Sequence, residues 1–178
     1  MLSNHLKPIF VIIGMAITVV ITLSLFWSGN GVETHANGVA TVKWKNGNMY
    51  EGEWRDHKMH GKGSYFWKDG SKYVGYFKES QRHGFGTHSW PSGAKYEGEW
   101  FSDKIHGKGT YMWSDGSSYK GDWVAEKKHG KGLFKWPNGE KYQGQYFKDQ
   151  EVGGEYFHKD GRVTWSLRRG DRWVHMEK

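Results

Sequence analysis

Tyr50-Glu51-Gly52-Glu53-Trp54, the hexad Arg55–His60, Gly61-Lys62-Gly63-Ser64-Tyr65-Phe66-Trp67, then Lys68-Asp69-Gly70-Ser71-Lys72: these 23 residues form one phrase. The phrase is repeated from Tyr73, Tyr96, Tyr119 and Tyr142 without a slip in spacing. A period in this range marks stacked supersecondary units, each of which buries its apolar face only against its neighbours. Function must then come from the surface a stack presents, since such a chain has no single compact core to hold a pocket.

Within the phrase, Tyr50-Glu51-Gly52-Glu53-Trp54 alternates apolar or small residues with acids, the pattern of a strand with two unlike faces. After the hexad, Gly61, Gly63, Tyr65 and Trp67 fall on one face and Lys62, Ser64 and Phe66 on the other. Asp69-Gly70 then reads as a turn, because Gly accepts the positive φ such turns need. The turn recurs as Asn46-Gly47, Ser92-Gly93, Asp115-Gly116, Asn138-Gly139 and, one residue early, Asp160-Gly161. Trp44, Trp67, Trp90, Trp113 and Trp136 make a second ladder at the same spacing. Each unit is thus a β-hairpin, and the inter-unit turns make the sheet continuous. At two strands per unit and ~4.8 Å per strand, five units span roughly 50 Å.

Glycine inside a strand weakens it unless something must approach the backbone closely. Gly52, Gly75, Gly98, Gly121 and Gly144 each stand between a Tyr and a second aromatic residue on one face. Rings lying over bare glycine, each burying ~150–250 Å², can let a single-layer sheet stand without a second layer.

The phrase Tyr-Glu-Gly-Glu-Trp, with His-Gly-Lys-Gly, an aromatic and Asp-Gly after it, resembles the MORN repeat (membrane occupation and recognition nexus). The resemblance covers a half-unit at Gly38–Gly47, four clear repeats over 50–72, 73–95, 96–118 and 119–141, and a degenerate fifth over 142–161. In the fifth, Val152 replaces His and Glu155 replaces the second Gly. The resemblance implies an all-β fold: an elongated, single-layer antiparallel sheet of stacked hairpins with a groove. It also implies a protein-interaction module, often at a membrane, with phosphoinositide binding reported for some members. Residues 162–178, with strands expected at Arg162–Leu167 and Arg172–Val174, are read as a carboxy-terminal cap over the open sheet edge.

Ile9 to Trp27 is a run of 19 residues without charge. It meets the ~20 residues needed to cross a bilayer core, and Trp27 suits the interface. A cleaved signal peptide has a shorter apolar stretch ending in small residues, whereas this run ends in Leu25, Phe26 and Trp27. The expectation is an uncleaved single-pass transmembrane α-helix at 9–27, a short cytoplasmic tail at 1–8 and a polar linker at 28–37. Lys7 before the span, with no base after it until Lys43, places the repeats on the non-cytoplasmic side, the periplasm in a bacterium.

Composition narrows the chemistry. In 178 residues the aromatics reach 17%, which separates this polar chain from disordered sequences. Absence of Cys excludes disulfides, thiolate metal sites and a Cys nucleophile. The net charge of +7 favours acidic partners such as phospholipid head groups. His60, His83, His106 and His129 recur one per unit, ~9.6 Å apart, too far to share a metal whose ligands must lie near ~2.1 Å. Glu51, Glu53, Glu97 and Glu99 are read as cross-strand partners of lysines such as Lys62 and Lys108, not as a catalytic carboxylate pair. Arg169-Gly170-Asp171 is a three-residue match to an integrin motif and carries no weight. Basic and acidic residues are interleaved, against nucleic-acid readout. No cofactor, metal or enzymatic activity is expected.

The expected contact surface, where the rings are not simply core, is Tyr50, Trp54, Tyr65 and Trp67 with their counterparts. These are Tyr73, Phe77, Trp90, Tyr96, Trp100, Tyr111, Trp113, Tyr119, Trp123, Trp136 and Tyr142. A basic rim of Arg55, Lys58, Lys78, Arg82, Lys104, Lys127 and Lys128 would run along one long edge. A membrane-tethered scaffold for a protein partner or anionic phospholipid is the leading reading, with an edge-to-edge or end-to-end homodimer compatible with an open sheet. A glycan-binding aromatic array and an accessory subunit of a membrane enzyme stand as alternatives.

Overall fold

The computed structural model describes residues 35–169 and 172–177. The expected span at 9–27 and most of the linker lie outside the described residues. Thirteen strands follow one another in chain order and in space, forming one antiparallel meander. They are β1 (Gly38–Lys43), β2 (Met49–Arg55), β3 (Lys58–Phe66), β4 (Lys72–Lys78), β5 (Gln81–Ser89), β6 (Lys95–Phe101), β7 (Lys104–Met112), β8 (Ser118–Val124), β9 (Lys127–Lys135), β10 (Lys141–Phe147), β11 (Gln150–Phe157), β12 (Val163–Arg169) and β13 (Arg172–Glu177).

The two long edges are closed by different turns. On one edge, Gly70 N–H donates to Trp67 O (3.0 Å), and Trp67 N–H donates to Ser71 O (2.9 Å). Gly70 takes φ +91° and Asp69 Oδ1 accepts from Ser71 N–H at 2.8 Å, so Asp-Gly does there what its chemistry promised. On the other edge the hexads contain no loop. The strands run on to Arg55 and restart at Lys58, leaving a two-residue turn at Asp56-His57. Both residues of this turn, and of its four counterparts, have φ between 47° and 71°, the left-handed pair of a type I′ turn. None of these five pairs contains Gly or Asn, which is why the sequence hides them.

The glycines of Gly-x-Gly have separate tasks. Gly52 faces Gly63 and Trp54 faces Met59, so His60-Gly61-Lys62 bulge against the single residue Glu53. Gly61 takes φ +56° in this bulge, and Glu53 Oε1 accepts from Lys62 N–H at 2.8 Å. Glu99 and Asp122 bind Lys108 N–H (2.9 Å) and Lys131 N–H (3.0 Å) in the same way. Of the acids expected to be cross-strand partners of lysines, Glu53 and Glu99 act as caps on bulged backbone and Glu97 pairs with Lys95 of its own strand at 2.9 Å; Asp122, which caps a bulge as they do, also forms a cross-strand salt bridge with Lys108 at 2.7 Å. The second glycine serves the core. A methyl group on Gly63 would lie 2.4–2.6 Å from the hydroxyl, Cε2 and Cζ of Tyr50, whose ring lies across that bare backbone.

Tyr50, Tyr73, Tyr96, Tyr119 and Tyr142 are all 0% exposed in a sheet with no second layer. The first four are walled by edge-to-face rings from their own strand and from the next unit, and Tyr142 by Tyr146 edge-on and by Tyr156 tilted at 49°. The result is a continuous spine, Trp54–Tyr50–Phe77–Tyr73–Trp100–Tyr96–Trp123–Tyr119–Tyr146–Tyr142. Its centroids are 5.0–5.8 Å apart and its planes cross at 83–88°, the geometry that ring quadrupoles favour. The hydroxyls of Tyr50, Tyr73, Tyr96 and Tyr119 donate to backbone carbonyls, as Tyr50 to Glu53 O at 2.9 Å and Tyr96 to Glu99 O at 3.0 Å. Burial pushes their pKa upward, to about 12 at Tyr142.

Candidate binding surface

The rings expected to form a contact surface separate into two rows. Tyr50, Tyr73, Tyr96, Tyr119 and Tyr142, with Trp54, Phe77, Trp100 and Trp123, form the sealed spine and reach no partner. Tyr65, Trp67, Trp90, Tyr111, Trp113 and Trp136 belong to a second, half-buried row beside the Asp-Gly turns. That row runs Trp44–Tyr65–Trp67–His88–Trp90–Tyr111–Trp113–Phe134–Trp136–Tyr156, with successive centroids 4.2–6.1 Å apart. Its rings lie against one another, so a ligand meets mostly ring edges.

One unit breaks the ring pattern. At the position of Tyr65, Tyr111 and Phe134 stands His88, buried and stacked between Trp67 (4.9 Å) and Trp90 (4.2 Å). Arg82 Nη1 lies 3.0 Å from His88 Nδ1, and since a guanidinium only donates, Nδ1 accepts and the proton sits on Nε2. Arg82 is held by Asp103 through Nε (3.1 Å) and Nη2 (2.7 Å to the carbonyl) and lies 4.2 Å over the Trp100 ring. Burial first, then the Arg82 charge, depresses the His88 pKa to about 4.

The basic rim is also divided. Arg55, Lys58, Lys78, Lys104 and Lys127 are exposed at the type I′ tips, where Lys58 pairs with Glu79. Arg82 and Lys128 instead turn onto the ring face. Lys128 Nζ lies 5.1–5.8 Å from the centroids of Phe134, Tyr146 and Tyr119, a cation–π cluster that removes it from the rim. The recurring histidines sit singly beside the bulges, with His83 and His129 against the rings of Phe101 (5.0 Å) and Phe147 (5.1 Å). Among the described residues no three His, Asp or Glu side chains converge on a metal position.

The opposite face carries a feature that alternation alone did not reveal. A groove of about 970 Å³ crosses strands β5 to β12, floored by Gly109, Gly121, Gly132, Gly144 and Gly154. Phe85, Met112, Leu133 and Trp165 supply apolar walls; Lys95, Lys108, Lys120 and Lys131, with Glu97 and Glu155, supply charge. Lys95 is neutralised by Glu97 at 2.9 Å and Lys108 by Asp122. Lys120 and Lys131 have no carboxylate partner among the described residues. A second depression of about 530 Å³, sharing Phe85, continues the groove toward Val39. At its other end lie strands β12 and β13. Trp165 pairs with Met176 and Leu167 with Val174, and all four are exposed. The signal for this surface was available in the apolar residues at the outward positions, Phe85, Met112 and Leu133, which the ring ladders overshadow.

The MORN repeat family matches residues 50–72, 73–95, 96–118 and 119–141, more than half of the chain. The chain belongs to the MORN repeat family. No curated protein matches it. Among solved structures it is similar to the wild-type TCP10 domain of Danio rerio CPAP, with 12% identity, 79% of this chain and 72% of that chain covered, and a TM-score of 0.32. A point mutant of the same domain gives 12% identity, 79% and 71% coverage and a TM-score of 0.36. In this MORN array the repeated rings build one face, and the repeated glycines floor a groove on the other, whose apolar walls differ from unit to unit.

Proposed function

We propose that this MORN array is a non-enzymatic scaffold, tethered to a membrane by residues 9–27, that takes a protein segment in the groove opposite its rings. The observation that carries the reading is the groove itself: exposed Phe85 and Met112 beside Lys120 and Lys131, which have no carboxylate partner among the described residues. Exposed apolar side chains grouped with charge mark interaction sites on a soluble surface. The unpaired Lys120 and Lys131 favour a partner with acidic residues.

A photo-crosslinking residue at Met112 in the full chain, expressed in membranes, should capture one defined partner. Lys120→Glu with Lys131→Glu should abolish that capture. Capture that survives charge reversal, or that is equally strong from Trp113 on the ring side, overturns the reading.

Anionic lipid at the type I′ tips is a second reading with its own support. His57 N–H donates to Ala36 O (3.1 Å), so the chain enters the sheet at that edge, beside Arg55, Lys58 and Lys78. The tether thus delivers the basic tips to a bilayer, where each contributes ~1 kcal/mol near an anionic surface. Charge reversal at Arg55 and Lys78 should lower vesicle binding of the array only when the vesicles contain anionic lipid. A glycan-stacking role finds little support on the ring face, because the half-buried rings of the second row already lie against one another.

A further inference from the structure

The alternation that builds the sheet inverts in its last hairpin. In β6 the ring face takes Tyr96 and Trp100 and the groove face Glu97; in β8 Tyr119 and Trp123 stand against Lys120. In β12 the ring side carries Thr164, whose Oγ1 lies 2.9 Å from His158 Nε2, and Ser166, 1% exposed, while Trp165 looks into the groove. Leu167 stands two residues from Trp165, and Met176 and Val174 are paired with them on β13, so all four share the groove side. They are 37–55% exposed. The apolar face of the sheet has changed sides, and at this end it is turned toward the groove.

An apolar sheet face is covered by a helix or a second sheet in stable architectures. Four side chains of at most ~250 Å² each, about half exposed, offer no more than ~500 Å², whereas a stable dimer buries ~800 Å² a side. The hairpin alone is therefore too small for a second copy, and its cover must gain further contact from the adjoining groove. Every strand from β5 to β12 is paired on both edges, so an extended segment lying across them finds no free backbone N–H or C=O. A helix brings its own backbone hydrogen bonds. From β5 to β12 is seven strand spacings, ~34 Å. A volume of about 970 Å³ over that length gives a mean cross-section of ~30 Å², whereas a whole helix, ~10 Å across, fills ~80 Å². The groove thus takes one face of a helix and leaves the rest in water.

We infer, on the reading that the groove is the binding face, that its occupant is an amphipathic α-helix of the partner laid across the strands. Two acidic residues one turn apart sit over Lys120 and Lys131, and a large apolar anchor sits on the β12–β13 hairpin. From β8–β9, which carry the lysines, to β12–β13 is four strand spacings, ~19 Å. A helix covers that distance in ~13 residues, and the nearest position on the same stripe is ~14 residues on. The array therefore selects its partner by a spacing between acid and anchor along one helical face.

The probe is a labelled synthetic helical peptide of about 22 residues, with two Glu one turn apart and a Leu-Phe anchor about 14 residues from them. It is made in two versions, with the acids at its amino or its carboxy end. Titrated against the full chain in nanodiscs of zwitterionic lipid, with empty discs as the blank, one version should bind saturably. Trp165→Ser with Met176→Ser should weaken that binding at least about tenfold. Moving the anchor two residues, which carries it round to another face of the helix, should weaken it as much. Val174→Ser with Met176→Ser repeats the test with Trp165 retained, and the variant that keeps its thermal midpoint is the one read. Absence of saturable binding, equal binding of the shifted peptide, or equal binding by the hairpin variant each overturns the inference. So does a full chain that sediments as a dimer and is made monomeric by the hairpin substitutions, because a second copy then covers the patch. The groove reading is judged separately: capture from Met112 that ignores charge reversal at Lys120 and Lys131 sinks it, whereas charge-sensitive capture that ignores the hairpin substitutions sinks only the helix and its anchor.

Discussion

The two faces of this sheet are written by alternate residues of the same strands, yet they obey different rules. On the ring face each unit repeats the same contact of a Tyr with bare glycine and edge-on rings: Tyr96 is fully buried over Gly109, between Trp100 and Trp123. One residue over, Thr110 and Met112 look into the groove, where only exposure and charge are specified. A repeat protein of one layer must concentrate its whole core on one side, which frees the other for a partner. The comparison predicts that equal substitutions a residue apart should differ widely in effect.

The sharpest break is at the spine. Tyr96→Ala removes a ring with two edge-to-face neighbours and leaves glycine backbone uncovered, at a cost of about 4 kcal/mol. Because units are stabilised mainly by their neighbours, urea unfolding should lose its single transition as the array divides at unit 96–118. Thr110→Ala, next to Gly109 but facing the groove, should stay within about 0.5 kcal/mol. Comparable losses at both positions would mean that the faces are not divided as described. Gly109→Ala tests the other half of the same contact. Its methyl would lie 2.2 Å from the Tyr96 hydroxyl and 2.5 Å from Cζ, so the ring must leave its seat, at about 3 kcal/mol.

Next in size is the polar ring among the aromatics of the ring face. His88 is kept neutral, with its pKa depressed to about 4 from an ordinary 6.5. Above pH 6.5 the folded and unfolded chains bind the same protons at this site. As pH falls toward 4 the unfolded chain takes up a proton that the folded chain refuses, so stability declines through that window and levels off below it. Between pH 7 and 5 the loss is about 2 kcal/mol, read from urea midpoints. His88→Phe, which restores the residue type found at Phe134, should flatten this part of the curve. A slope unchanged by the substitution would assign the effect to other histidines.

How much of this was legible follows the same division. The ring ladders, the Asp-Gly turns and the hairpin order could be read because each rests on a residue type with one physical use: an aromatic that must be buried, a glycine that must be bare or left-handed. The fold and family follow from them. The type I′ tips were missed because pairs such as Ala125-Glu126 hold a left-handed backbone with no residue that favours it. Glu53 looked like half of an ion pair because sequence shows its charge and hides the bulge it caps. His88 was hidden in a position otherwise filled by Tyr or Phe. Among the site residues, those named for their rings are mostly core, while Lys120, Lys131, Phe85 and Met112 went unnamed. The groove's floor glycines and Lys108 and Lys131 follow the 23-residue spacing, but its apolar walls, such as Phe85 and Met112, do not, and so leave no periodic trace.

The tips allow a smaller test. Ala125→Asn with Glu126→Gly would place a preferred type I′ pair where φ is 47° and 69°. Relief of the left-handed cost, offset by the extra freedom of glycine in the unfolded chain, should raise stability by about 1 kcal/mol. A decrease in the thermal midpoint would mean that the tip conformation differs from a type I′ turn.

The smallest effect on stability should belong to the groove, and there a null result is informative. Lys120 and Lys131 are exposed and have no carboxylate partner among the described residues, so Lys120→Glu with Lys131→Glu removes no contact the fold uses. Reversal adds two acids near Asp122 and Glu155 but at a solvated surface, where such changes stay within about 0.5 kcal/mol. If the midpoint holds while partner capture is lost, the two faces are separable: one for folding, the other for binding. If the double variant unfolds as readily as Tyr96→Ala, the lysines are part of the scaffold. The groove would then be a by-product of the glycine ladder and not a surface kept for a partner.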